Sequence, residues 1–235
     1  MPTKTLSDMR LIVSGLIQDV AGKLSVTSRN QAIAAAVKLH SNNVPARKFQ
    51  VVTGASNGVV RTPTGWVHDV SEILQIEYPL GRRPPEYLQE DQFRVIPMPT
   101  GSAPYKIYLT DSTPTASEPI GVRFTTPHTF GATASQNTIP DHHVDAVAHL
   151  AAHIACNQLA AFYSQSGDSG IQADSVNHQQ KLPNYLQLAK AYVSHYMAFF
   201  KISEAGFVKA ASVLVDIDRK TSWGDDLFYH PKRRR

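Results

Sequence analysis

Apolar residues recur at three- and four-residue intervals early in the chain: Leu11, Ile12, Leu16, Ile17 and Val20, with Gly22 beyond them as a stop. A second run, Ile33, Ala36, Val37 and Leu39, follows Thr27 or Ser28 as N-cap, with Gln31 placed to complete a capping box on Ser28. Asn42, Asn43 and Pro45 end it, so residues 7–43 predict two short helices packed as an antiparallel or angled pair.

From Arg47 to Phe130 the period shortens and prolines multiply. Between them lie short β-type runs: Phe49 to Thr53, Trp66 to Val70, Glu72 to Tyr78, Phe93 to Pro97, Tyr105 to Leu109 and Gly121 to Thr125. Proline is excluded from central strands, so these prolines mark edges and turns of an antiparallel sheet or small sandwich.

Helical period returns after Ile139, Pro140 and Asp141. The stripe Val144, Val147, Ala148, Ala151, Ile154, Ala155, Leu159 and Phe162 persists for about six turns, and its small residues allow close helix approach. Gly167 and Gly170 break it. A second helix is predicted to start near Leu182 and Pro183, with Tyr185, Leu188, Ala189, Tyr192, Tyr196, Phe199 and Phe200 on one face. A weak β-type run from Phe207 to Ile217 precedes a polar and aromatic tail.

The expected class is therefore α+β: N-terminal helices over 1–45, an inserted antiparallel β domain over 46–138, a helical hairpin over 139–203 that completes a bundle, and an extended C-terminal arm over 204–235. No internal repeat is evident.

Charge changes this picture at one end only. The chain has 23 Lys and Arg against 19 Asp and Glu, an excess of +4 in 235 residues. Lys232, Arg233, Arg234 and Arg235 account for all of it, which leaves 19 basic and 19 acidic side chains in a neutral body. A duplex-gripping domain usually carries a domain-wide basic excess, and only the tail does so here. Trp223, Leu227, Phe228 and Tyr229 make that tail too apolar for a plain solvated linker, so it is read as a docking arm. Cys156, alone in an Ala-rich run, is read as a buried thiol in a reducing compartment. No apolar stretch reaches membrane-spanning length, and Asp8, Arg10 and Asp19 occupy the place of a signal peptide's apolar region.

Candidate chemistry is thin. Val51 to Gly58 resembles a dinucleotide-binding turn, but Val60 stands where the third glycine should be, and Pro63 and Gly65 oppose the helix that must follow. His149 and His153 share a helix face at metal-ligand spacing, yet Leu150 replaces the glutamate of a zincin. With His142 and His143 they are read as a polar face or helix contacts. Asp168, Ser169, Asp174 and Ser175 fit turn and cap chemistry. No nucleophile, base and orienter set is found, and no enzyme, cofactor or metal site is expected.

The connection of the hairpin is the most specific text in the chain. From Leu159 to Lys181, with Ala160, Ala161, Tyr163, Asp168, Ser169, Ile171, Ala173, Asp174, Ser175, Val176 and Asn177, it resembles the hairpin of tailed-bacteriophage head-to-tail adaptor (connector) proteins. Glu77, Tyr78, Pro79, Gly81, Pro84, Pro85, Tyr87, Leu88, Phe93 and Arg94 are similar to the β region of longer members, and Thr126 to Thr129 to the segment leading back into the helices. The likeness covers about residues 25 to 200. It implies a homo-oligomeric ring of twelve copies below the portal, around the DNA channel of a virion neck, assembled in the host cytoplasm. Implied partners are the portal protein and a tail or head-completion protein below the ring. The expected portal or adjacent-subunit contacts are Trp223, Leu227, Phe228, Tyr229, Lys232, Arg233, Arg234 and Arg235. The basic end also offers non-specific contact to genomic DNA. A competing reading is a nucleic-acid-binding protein that uses the basic tail.

Overall fold

Four helices and two small antiparallel sheets make up the fold, as the α+β pattern predicts. It is taken from a computed structural model that describes residues 2–19, 22–54, 58–68, 70–97, 105–165 and 178–202. The first pair is α1 (Leu6–Ile17) and α2 (Val26–Asn43). Helix α1 opens with a capping box: the Thr5 hydroxyl accepts from the Asp8 N–H, while the Asp8 carboxylate accepts from the Thr5 N–H at 2.7 Å. Helix α2 starts earlier than the capping box on Ser28 predicts. Ser25 is the N-cap, and its Oγ accepts from the Ser28 N–H at 3.1 Å, which satisfies a free donor of the first turn.

Burial also shifts the expected faces. Met9, Val13 and Ile17 form the inner stripe of α1, while Leu11 points outward and is 70% exposed. On α2 the inner stripe is Ala32, Ile33, Ala36, Val37 and His40, and Leu39 lies outside. Arg10 Nε donates to Asn30 Oδ1 at 2.6 Å, and an Arg29 guanidinium nitrogen donates to Ser14 Oγ at 3.0 Å, tying the two helices together.

One sheet runs in the order β1 (Ala46–Thr53), β6 (Pro119–Thr126), β3 (Ile73–Glu77). The other runs β2 (Val59–Arg61), β5 (Tyr105–Leu109), β4 (Phe93–Pro97). Inward residues Val52, Val60, Ile76, Ile107, Leu109, Ile120, Val122 and Phe124 form one core, with Trp66, Ile73, Tyr78, Leu88 and Phe93 packed against it. The period-2 alternation puts these side chains inside and their sequence neighbours outside. Pro97 ends a strand and Pro119 begins one, the positions where a missing N–H is tolerated. Trp66 to Val70 forms turns rather than the expected strand. Its Trp66 ring rests on Phe124, centroids 6.3 Å apart, so apolar content there serves packing rather than pairing. The short strand β2 lies outside the predicted set.

Helix α3 (Asp141–Gln165) and helix α4 (His178–Phe200) form the hairpin. Helix α3 buries Val144, Val147, Ala148, Ala151, Ala152, Ala155, Cys156 and Leu159, and both α1 and α2 pack on it. Two ends of the chain therefore close one bundle with the sheets inserted between them. Helix α4 begins before Pro183, which lies inside it rather than in its first turn. The N-terminal residues are held to this frame. Thr3 donates to the Asp141 carboxylate through its N–H at 2.8 Å and its hydroxyl at 2.9 Å, and Asn137 Nδ2 donates to the Lys4 carbonyl.

Candidate assembly surface

Trp223, Leu227, Phe228, Tyr229, Lys232, Arg233, Arg234 and Arg235 lie outside the described residues, as does most of the connection from Asp168 to Asn177. The described part of the chain supplies three features that bear on function: exposed apolar side chains, a histidine junction and an uneven charge distribution.

Large apolar residues stand exposed on both halves of the molecule. Leu11, Val26 and Leu39 lie on the first helix pair, Phe162, Leu186, Leu188 and Phe199 on the hairpin, and Phe49 and Val51 on β1. Helix α4 is covered along a narrow ridge, where Ala189 and Tyr196 are buried and the Tyr192 hydroxyl donates to the Leu16 carbonyl at 2.6 Å. Its remaining surface carries Lys181 and Lys190 among apolar residues, with no acidic residue from His178 to Phe200. Apolar exposure of this kind is usual where a protein meets another subunit.

The bundle and the sheets meet at a cluster of histidines. His40 from α2 is fully buried, stacked on His128 at 5.1 Å between ring centroids and edge-on to His143 of α3 at 5.5 Å. Tyr196 and Phe200 of α4 close the cluster, with Tyr196 Oη 3.2 Å from His40 Nδ1 and accepting from Asn43 Nδ2 at 3.1 Å. His40 Nε2 is buried without a partner. Burial, followed by the neighbouring His128 and His143, pushes the His40 imidazole down to about 3.

His128 follows β6 and acts as the pin. Its backbone N–H donates to Ser41 Oγ at 2.9 Å, and Nε2 donates to the Val44 carbonyl at 2.9 Å, which leaves Nδ1 to accept from the Thr138 hydroxyl at 3.1 Å. Burial holds His128 and His143 below the usual imidazole range as well. A cavity of about 300 Å³ opens beside the junction, lined by Arg47, Lys48, His128, Thr138, Pro140 and His143 among others.

The other candidate motifs resolve into structure. Gly54 ends β1 and bridges to Val60, so the segment is a hairpin and not a strand followed by a helix. A Cβ at Gly54 would fall 2.7 Å from Pro114 Cβ, so the glycine serves close packing against Pro114. His149 and His153 face α4: His149 packs on Tyr192 and His195, and His153 Nδ1 lies 2.8 Å from the Ala189 carbonyl. Among the described residues no group of three or more His, Cys, Asp or Glu is arranged to hold a metal ion. Cys156 is buried, and burial raises its thiol to about 11, so it stays protonated at neutral pH. No helix among the described residues is long and apolar enough to cross a membrane.

No family model matches the chain, and no curated protein matches it. Solved structures similar to it include the neck of a native GTA (phage-like gene transfer agent) particle computed with C12 symmetry, at 15% identity, covering 79% of this chain and 93% of that one with a TM-score of 0.24. The neck of an empty GTA particle computed with C6 symmetry matches at 15% identity over the same shares, with a TM-score of 0.25. The likeness is weak and by itself says nothing of this chain's role.

Proposed function

We propose that this protein is a structural subunit of a virion neck: a head-to-tail adaptor that assembles as a homo-oligomeric ring, of twelve copies, below the portal and around the DNA channel. The observation that carries the reading is the closure of α1 and α2 onto α3 and α4 around an inserted β domain. That is the layout implied by the resemblance of residues 25 to 200 to connector proteins. Exposed Leu11, Phe162, Leu186 and Phe199 on the bundle supply surface for neighbouring subunits. The arm from Trp223 to Arg235 docks on the portal or between adjacent copies, with Phe228 and Tyr229 as anchors and the basic end as its charged tip. The function is one of assembly and needs no catalytic residue, cofactor or metal.

Native mass measurement of the purified chain, alone and mixed with its portal, tests the reading. A complex carrying many copies per portal ring is expected, even if the free chain is a monomer. Deletion of residues 223–235 should abolish that complex while circular dichroism stays unchanged. Failure of the intact chain to join the portal would overturn the adaptor reading, and unchanged binding after the deletion would overturn the role of the arm.

A further inference from the structure

The strand register places three cations on one flat surface. Along the outward face of the β2–β5–β4 sheet, Val59, Tyr108 and Arg94 form one cross-strand row, and Arg61, Lys106 and Ile96 the next. The intervening residues Val60 and Ile107 point into the core. Arg61 and Arg94 are exposed, Tyr108 is 39% exposed, and Lys106 is half-buried. None of the three cations has an ion-pair partner among the described residues. Neither the three strands nor the segment 98–104 that joins β4 to β5 contains Asp or Glu.

One pairing is unfavourable in isolation. Arg61 stands directly opposite Lys106, and like charges at directly opposed positions, with Cβ atoms about 5 Å apart, destabilise a sheet. Neutralising this repulsion calls for an anion above the face. We propose that the outer face of the β2–β5–β4 sheet contacts the phosphate backbone of duplex DNA through Arg61, Arg94 and Lys106, with the Tyr108 hydroxyl as an added donor. Phosphate contacts of this kind come from Arg, Lys and Tyr side chains and carry no sequence preference. The shape favours a duplex over the other polyanions. Three strands of five residues or fewer give an open surface roughly 10 Å by 17 Å rather than a groove. A lone ring offers no stacking platform for successive bases of a single strand. An acidic protein partner would be expected to cover a larger apolar centre.

The inference stands on register and charge and holds for a single copy; a ring around the channel would multiply the contact. Three phosphates neutralised per copy predict a slope of log affinity against log salt of about −2.7, a roughly 40-fold loss between 50 and 200 mM NaCl. Fluorescence anisotropy of the full chain with a labelled duplex of about 30 base pairs reads this directly, at salt values where the principle applies. The variant Arg61→Gln, Arg94→Gln, Lys106→Gln should bind at least tenfold more weakly at the lower salt and lose about 2.7 from the slope.

A second variant, with Lys232, Arg233, Arg234 and Arg235 changed to Gln, separates the tail's share from that of the sheet. If the sheet variant keeps the parent's affinity and slope, or if the parent does not bind duplex at low salt, the proposal is overturned. The single variants Arg61→Gln and Arg94→Gln guard against misfolding of the triple: each should flatten the slope by about 0.9 with an undiminished Tm. Assembly on the portal is read separately by mass, so loss of either property leaves the other measurable.

Discussion

Mild acid should loosen the junction between the bundle and the sheets, and His40 sets the scale. In the folded protein its imidazole titrates near 3, against an ordinary 6.5 in the unfolded chain. Above 6.5 both states are neutral and His40 has no pH-dependent effect. As pH falls below 6.5 the unfolded chain binds a proton that the folded chain refuses, so stability falls by about 1.4 kcal/mol per unit until pH approaches 3. Integrated from pH 7 to pH 5, the loss from this one side chain is about 2 kcal/mol.

The groups facing His40 offer no compensation. His128 from the segment after β6, His143 from α3, and Tyr196 and Phe200 from α4 include no carboxylate. His128 and His143 are themselves held low, so they add to the loss in the same direction. Carboxylates held low by hydrogen bonds, such as Asp8, Glu118 and Asp141, weaken the fold only at more acid pH, which leaves the interval from 6.5 to 5 to the histidines. Urea unfolding followed by circular dichroism at pH 7, 6 and 5 measures the loss. His40→Gln should be less stable than the parent at pH 7 and lose about 2 kcal/mol less on going to pH 5. Parallel losses in the parent and His40→Gln would refute the assignment to His40.

Three further outcomes are expected. Cys156 should resist a water-soluble thiol reagent in the folded protein and react at once in denaturant; fast labelling without denaturant would contradict its burial. Ser25→Ala should cost about 1 kcal/mol in a thermal or urea melt, whereas Thr27→Ala, beyond the true cap, should cost less. Gly54→Ala should destabilise by roughly 1–3 kcal/mol because its new methyl meets Pro114, and relief by Pro114→Ala in the double variant would confirm the contact.

Helical period was the clearest text in the sequence. The alanine-rich stripe from Val144 to Leu159 is buried almost throughout, because a helix that packs on three others leaves its inner face little freedom. Faces were harder to place where packing is one-sided. Leu11, Leu188 and Phe199 keep helical spacing with core residues yet point outward, since period marks a stripe without saying which edge of it is covered. Strands β4 and β5 match their predicted spans, but β2 is three residues long and leaves no periodicity to detect.

The histidine junction was not legible. His40, His128 and His143 are far apart in sequence and each reads alone as an ordinary polar residue. The neutral charge total hid the cationic sheet face for the same reason: register assembles Arg61, Arg94 and Lys106, whereas composition only counts them. A sequence signal did exist, in the absence of acidic residues from Phe93 to Leu109, but it gains meaning only once the pairing is known.

The pairing of β1 with β6 runs from Ala46 opposite Thr126 to Thr53 opposite Pro119. The inserted sheets thus receive the chain from α2 and return it toward α3 at neighbouring points. In kinetic terms this makes the β domain a clasp. Before β1 and β6 pair, α2 and α3 are joined by a long flexible loop, and bringing them together carries its full closure entropy. Once the two strands are zipped, the effective loop is only a few residues, and the helices behave almost as neighbours in sequence. Folding of the bundle should therefore wait on the sheet, despite the usual lead that local helical contacts have over long-range strand pairing.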